Sequence, residues 1–472
     1  MPRRKVLYIR PAGWETAQHE YFRLSPLDLV VTQHYNNYAL IFEKIAQSDY
    51  EIIVDTVYRA LQATLGQCRH IVGTIERDSQ GDFTIVKKPS STVPFVVQRL
   101  DGTEDNCPSL RDLRKSHFCS GILGDPTRLS NAGMSMASEA SPLIYPPVAG
   151  FQLTFISGGM ILTTSIHHFA MDITGTNGLI QQLATHCYSL RYGFPQPTWD
   201  EALLDRSLFR LPPIPEEAKI DQKPASTRHP QWLPCTWLLF HIPRSNLYKL
   251  KQLAMPADSW ISTYDALSAY LWRVLSKTRA QIYKPNLDQP AIFLESVNMR
   301  SRIHPPISRE HQGNFLCGGL SFQQEDQPTL ADVISETSLP RLAAFIRKIT
   351  NSVNEETLDA TLNMVAAIRD KSNLHVRLDS LPPMSLAVTD WRHVDACAAD
   401  FGFGRPVAFR QLADKVIENM LIIYPRRPVE ADPDHGLEVV LPFERHAVDI
   451  LIKDPDLNKF FAFRGIEVGM PE

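Results

Sequence analysis

The stretch FQLTFISGGMILTTSIHHFAMD, residues 151–172, decides how the rest of the chain is read. Residues 151–157 alternate apolar and polar side chains, Gly158-Gly159 supplies a two-residue turn requiring positive φ, and residues 160–166 return as a second strand. The strand ends at His167-His168, and Asp172 lies four residues after His168. The following run of turn and capping residues, 174–178, opens a helix with Leu179, Leu183, Cys187 and Leu190 at helical spacing. An imidazole is thereby held where rigid strand gives way to helix.

The spacing H-x-x-x-D is weak evidence by itself. The chain has 15 histidines, and with aspartate at roughly one position in twenty about one match arises by chance. A second match exists, His375 with Asp379, in the polar stretch KSNLHVRLDS with no hairpin before it; it reads as a solvated loop histidine. The case for His168 must therefore come from other parts of the chain.

Composition sets the bounds. A chain of 472 residues with 44% apolar content suits two domains or one large α/β unit. A net charge of −4 over 48 basic and 52 acidic residues gives no field for nucleic acid and no polybasic stretch for a membrane. No run approaches the length of a membrane span, and the opening MPRRKVLYIRPAGW lacks the apolar core of a secretory signal. The seven cysteines, Cys68, Cys107, Cys119, Cys187, Cys235, Cys317 and Cys397, are odd in number and scattered, which argues against zinc and against a disulfide framework and fits the cytoplasm.

Along the chain, residues 5–9, 82–87 and 94–100 read as strands, 22–28 as a turn leading to the apolar run 38–42, and 51–65 as a helix ended by Gly66 or Gly73. From Phe194 to Pro234 the sequence is dense in proline and charge, the signature of an extended crossover. Trp199, Leu203, Leu204, Leu208 and Phe209 would anchor it to the surface. This divides the chain into residues 1–194, a crossover at 195–235, and 236–472. Beyond it, residues 236–242, 291–297, 384–389, 419–424 and 436–441 read as strands, 330–352 and 355–369 as helices, and Ser262-Thr263-Tyr264-Asp265 as a capping-box start to another helix.

Four blocks then stand out together: LSPLD at 24–28, HHFAMD at 167–172, NMRSRIHPP with HQGNF at 298–315, and DFGFG at 400–404. In this order and spacing the chain resembles the BAHD family of acyl-CoA-dependent acyltransferases, in its fungal trichothecene 3-O-acetyltransferase-like branch, over nearly its whole length. Two departures are visible. Ile173 and Thr174 precede Gly175 where the family has Gly directly after the aspartate, and Phe403 replaces the tryptophan of DFGWG. The resemblance implies an α/β fold of two chloramphenicol-acetyltransferase-like domains joined by a long crossover, with the active-site channel at their interface.

It also implies a chemistry. An alcohol attacks a thioester only with a base at hydrogen-bonding distance whose pKa is near the working pH. By resemblance His168 is that base, with no covalent acyl-enzyme and no metal. Asp172 could orient the imidazole, but the family's aspartate turns away and pairs with an arginine; by motif match that is Arg300, with Arg302 second and Asn298 supporting the same corner. Thr389-Asp390-Trp391 matches the family's threonine-serine-tryptophan block. It makes Trp391 Nε1 a candidate oxyanion donor and Thr389 an acceptor contact, although a packed core tryptophan accounts for Trp391 equally well. His167 is assigned a supporting role.

Asp400, Gly402 and Gly404 read as architecture, a tight turn on the coenzyme A side; a kinase reading of D-F-G lacks its companion motifs. Ser262 and Thr263, at a helix start, offer free backbone N–H groups to the donor's phosphate or pantetheine. The leading function is a monomeric O-acetyltransferase moving an acetyl group from acetyl-CoA to a hydroxyl of a small secondary metabolite. A condensation-type catalyst taking donors from carrier proteins and a non-acylating binding or cyclising protein are the alternatives.

Overall fold

The computed structural model describes residues 3–16, 18–78, 82–221, 227–374, 376–428 and 433–468. Its centre is the hairpin of strands Ala149–Ile156 and Gly159–His167. Ile156 pairs with Gly159, so the turn is Ser157-Gly158, one residue earlier than the sequence suggested. Only Gly158, at φ +84°, needs left-handed freedom. Gly159 is glycine for a different reason: a Cβ there would sit 2.4 Å from the Phe42 carbonyl oxygen of the next strand.

The first sheet runs, in spatial order, Arg4–Ile9, Val93–Leu100, Ala149–Ile156, Gly159–His167, Tyr35–Glu43 and Ala408–Gln411. Its last member comes from beyond the crossover and pairs antiparallel with Tyr38 to Ile41. A second sheet runs Leu316–Leu320, Phe293–Asn298, Leu386–Asp390, Met420–Ile423, Leu437–Glu444, Cys235–Ile242 and Ala462–Val468. A small third sheet holds Glu20–Arg23, Phe83–Lys87 and Thr74–Arg77. The second sheet is drawn wholly from Cys235 onward, whereas the first takes one strand, Ala408–Gln411, from beyond the crossover, where it satisfies its backbone on Tyr35–Glu43. The core under the first sheet likewise takes in Trp237, Trp391, Tyr424 and Val440.

Helices Tyr50–Gln67 and Ile173–Tyr192 cover the hairpin's inner face, and Leu179, Leu183 and Cys187 are buried as their spacing requires. Each leucine so buried contributes about 1.5–3 kcal/mol. The first of these helices ends at Cys68 rather than at Gly66 or Gly73; Gly66 lies inside it, where a Cβ would meet the Ala12 carbonyl at 3.0 Å. The single helix expected over 330–352 is two elements, a π-helical turn Asp332–Glu336 and the helix Leu339–Ser352, because Pro340 ends one run and starts the next. In the crossover Trp199, Leu203, Leu204 and Phe209 are half-buried while Leu208 is exposed. His375 lies outside the described residues.

Candidate active site

Strand alternation sends the two adjacent histidines to opposite faces. His167 is fully buried: its Nε2 donates to the Ala140 carbonyl at 2.8 Å, and its Nδ1 accepts from the Phe169 N–H at 3.1 Å. Burial pulls its pKa down to about 4, against the Ala140 bond. Both nitrogens are committed, so it braces the corner and is closed to proton transfer. His168 is half-buried, and its Nδ1 is sealed without a partner among the described residues. Desolvation lowers its pKa, partly offset by its own carbonyl, the Asp172 carboxylate and the Asn314 side chain, which favours the uncharged ring.

Asp172 caps the helix Ile173–Tyr192, accepting from the Gly175 N–H at 2.8 Å. Its carboxylate faces Arg300, whose Nη1 and Nη2 donate at 2.8 and 3.0 Å, and it accepts the Phe315 N–H at 3.0 Å. Burial raises its pKa, but Arg300 and the two amides together hold it below the usual carboxylate range. Arg300, itself 1% exposed, also donates to the carbonyls of His311 and Gly313. Arg302, the second candidate partner, instead reaches the Thr350 and Val353 carbonyls at the end of Leu339–Ser352. Asn298 accepts the Arg300 N–H at 3.0 Å and donates to Thr174 Oγ1 at 3.3 Å.

Three further residues hold this corner. Asn314 of HQGNF donates to the His168 carbonyl at 2.8 Å and to Asp28 of LSPLD at 2.9 Å. Asp28, fully buried, pairs at 2.6 Å with Arg206 of the crossover, which also donates to the Ala170 carbonyl. Two of these residues lie in motif blocks that carried no assigned role, and Arg206, within LLDRSLFRL at 203–211, sits in a segment read only as a connector and gave no local signal.

Trp391 Nε1 donates to Thr389 Oγ1 at 2.9 Å, and its ring packs edge-on to Tyr38 and Phe409. The two residues form one unit at the end of Leu386–Asp390, with the indole N–H engaged. Ser262 is the N-cap of Thr263–Tyr283, bonded to Asp265 in a reciprocal capping box, and Asp265 pairs with Arg347. Beside that start, exposed Trp260 is flanked by Lys251 Nζ at 5.3 Å and the Arg347 guanidinium at 4.9 Å.

DFGFG is a turn away from this corner. Asp400 accepts the Gly402 N–H at 2.9 Å, and Gly402 and Gly404 have φ of +77° and +136°. A Cβ on Gly402 would lie 2.8 Å from Arg191 Cβ, while Phe401 and Phe403 pack on Phe42. The block thereby delivers Ala408–Gln411 into the first sheet. Among the described residues no cluster of His, Cys, Asp or Glu side chains is arranged to hold a metal, and no helix is long and apolar enough to cross a membrane.

A half-buried imidazole with an arginine-locked aspartate four residues on is the HHxxxD arrangement. The Transferase family model matches residues 5–453, so the chain belongs to that family, the BAHD acyltransferases. It is 40% identical over 475 residues to acetyltransferase FGR3 of Gibberella zeae, spanning 99% of this chain and 95% of that one. It is 24% identical to trichothecene 3-O-acetyltransferase TRI101 of Fusarium sporotrichioides, over 84% of this chain and 87% of the relative. The crystal structure of F. graminearum TRI101 complexed with coenzyme A and deoxynivalenol superposes with a TM-score of 0.77 at 20% identity, covering 94% of this chain and all of the other. Vinorine synthase gives 0.66 at 15% identity, covering 98% of each chain.

Proposed function

We propose that the chain is an acyl-CoA-dependent O-acyltransferase that moves an acetyl group to a hydroxyl of a small secondary metabolite, in a channel between the two large sheets. The observation that carries this reading is the half-buried His168 ring at the corner where Arg300 grips Asp172, its backbone carbonyl held by Asn314 and its uncharged form favoured by burial. Nε2 takes the proton of the acceptor hydroxyl as its oxygen attacks the thioester carbonyl. The tetrahedral intermediate collapses by breaking the carbon–sulfur bond, and the imidazolium returns its proton to the departing thiolate.

Charge on the carbonyl oxygen needs a donor aimed at it, worth about a hundred- to a thousand-fold. Because Trp391 Nε1 already donates to Thr389 Oγ1, the Thr389 hydroxyl proton is left to face the oxyanion, with Trp391 as the residue that aligns it. Asp172 and Arg300 act on the fold of the loop, and Asn298, Asp400, Gly402 and Gly404 on its support. For the donor, the helix start offers the Thr263 N–H but not that of Ser262, which already donates to Asp265 Oδ2 at 2.6 Å. Asp265 weakens that end for an anion, and Lys251 and Arg347 beside Trp260 compensate.

The test is product analysis by mass spectrometry of purified protein with acetyl-CoA and a panel of hydroxylated fungal metabolites that includes deoxynivalenol. An acetylated product is expected, and His168→Ala should lower its rate by roughly a hundred- to ten-thousand-fold. Near-normal turnover in that variant would show that the base is elsewhere.

A further inference from the structure

We propose that His34 is an acceptor-positioning residue, receiving a hydrogen bond from a second donor group of the acceptor beside the hydroxyl that His168 deprotonates. This rests on the base assignment above and narrows the substrate class to diols and other hydroxyls flanked by a hydrogen-bond donor.

The His34 and His168 rings lie side by side, 5.6 Å between centroids. The His34 carbonyl accepts the His168 N–H at 2.9 Å, so the spacing of the rings is set by backbone. His34 Nε2 lies 3.1 Å from Asn36 Oδ1, an atom that can only accept, and 3.4 Å from Thr32 Oγ1. Nε2 therefore carries the proton, and Nδ1 presents a lone pair that no described residue occupies. Desolvation and the neighbouring His168 ring drive the pKa to about 3, so the lone pair persists across the working range. Two imidazoles whose burial favours the uncharged form thus stand next to each other, with the His34 Nδ1 lone pair unoccupied among the described residues.

A cavity of about 200 Å³ runs to His34, with Met136, Leu378 and Ile417 as its apolar wall and Lys415 at its rim. Lys415 also borders a larger cavity of about 750 Å³. An acceptor in this cavity meets His34, whose ring lies against that of His168. His168 takes the proton of the reacting hydroxyl, and His34 holds the adjacent group, which selects the face presented to the donor.

The test uses the full chain with acetyl-CoA and two probe acceptors, cyclohexanol and trans-cyclohexane-1,2-diol, with ester formation followed by chromatography. The wild type should favour the diol in kcat/KM by about tenfold, the equivalent of one net hydrogen bond. His34→Phe should make the two probes equivalent, through a rise in the diol KM, and His34→Gln, which restores an acceptor atom, should recover part of the preference. Absence of a diol preference in the wild type, including the case in which neither probe is esterified, overturns the proposal. So does a preference that survives His34→Phe. Failure of the base assignment reads out separately, as ester formation undiminished in His168→Ala.

Discussion

Asp172 and Glu467 are both buried carboxylates that tie the first sheet to residues from beyond the crossover, and their surroundings hold them differently. Asp172 owns its cation: Arg300 meets both oxygens, and two backbone amides fill the remaining lone pairs. Glu467 shares its cation. Arg410 Nη2 is 2.8 Å from Glu438 while its Nε is 3.5 Å from Glu467, whose Oε1 makes no hydrogen bond. Burial pushes both carboxyls up; Arg300 and the amides reverse this at Asp172, whereas at Glu467 burial and repulsion from Glu438 outweigh Arg410 and Ser120. A buried carboxyl is held below its ordinary pKa when a cation and enough donors are dedicated to it, and is pushed above it otherwise.

The comparison breaks most directly at Asp172→Asn, which preserves shape and leaves Arg300 buried without its charge partner. A loss of about 3–5 kcal/mol in unfolding free energy is expected by denaturant titration, together with acylation failure; a loss below 1 kcal/mol would mean that the corner tolerates an unpaired guanidinium. Arg302→Gln is next. It removes charge-assisted bonds to two helix-end carbonyls, costing about 1.5–3 kcal/mol, with the rate of acyl transfer per folded molecule preserved. Glu467→Gln is smallest, within about 1 kcal/mol of wild type, because Arg410 keeps Glu438 as its charge partner at 2.8 Å.

Stability as a function of pH sharpens the contrast, since the two groups work with opposite sign. Asp172 is depressed in the fold, so its contribution is fully present above 3.8 and is lost as pH falls through its lowered pKa. Glu467 is raised, so its contribution is present below 4.5 and is lost as pH rises through its elevated pKa. Unfolding measured at pH 5 and pH 8 should therefore show Glu467→Gln gaining on the wild type at the higher pH. Equal differences at the two pH values would place the Glu467 pKa back in the ordinary range.

The sequence made the hairpin, its helix and the order of the four blocks legible, because each is a local pattern: alternation with a glycine turn in 151–167, a 3.6-residue period in 173–192. What it hid depends on distance along the chain. Arg206 and Asp28 are 178 residues apart, and nothing near either announces the pair. Ala408–Gln411 is a four-residue edge strand whose partner lies before the crossover. The Trp391 side chain was assigned by type, while the commitment of its N–H to Thr389 depends on the turn after Asp390. His34 matched no motif and becomes visible only through the ring beside it.

Because Ala408–Gln411 closes the sheet that carries His168, the two halves of this protein are not interchangeable parts. A chimaera joining residues 1–194 to the remainder of a relative would have to match the β-pairing to Tyr38 to Ile41, the Arg300 grip on Asp172 and the Asn314 contact with Asp28 at once. Directed evolution of acceptor range would accordingly do better to vary the cavity walls near His34 than to shuffle halves.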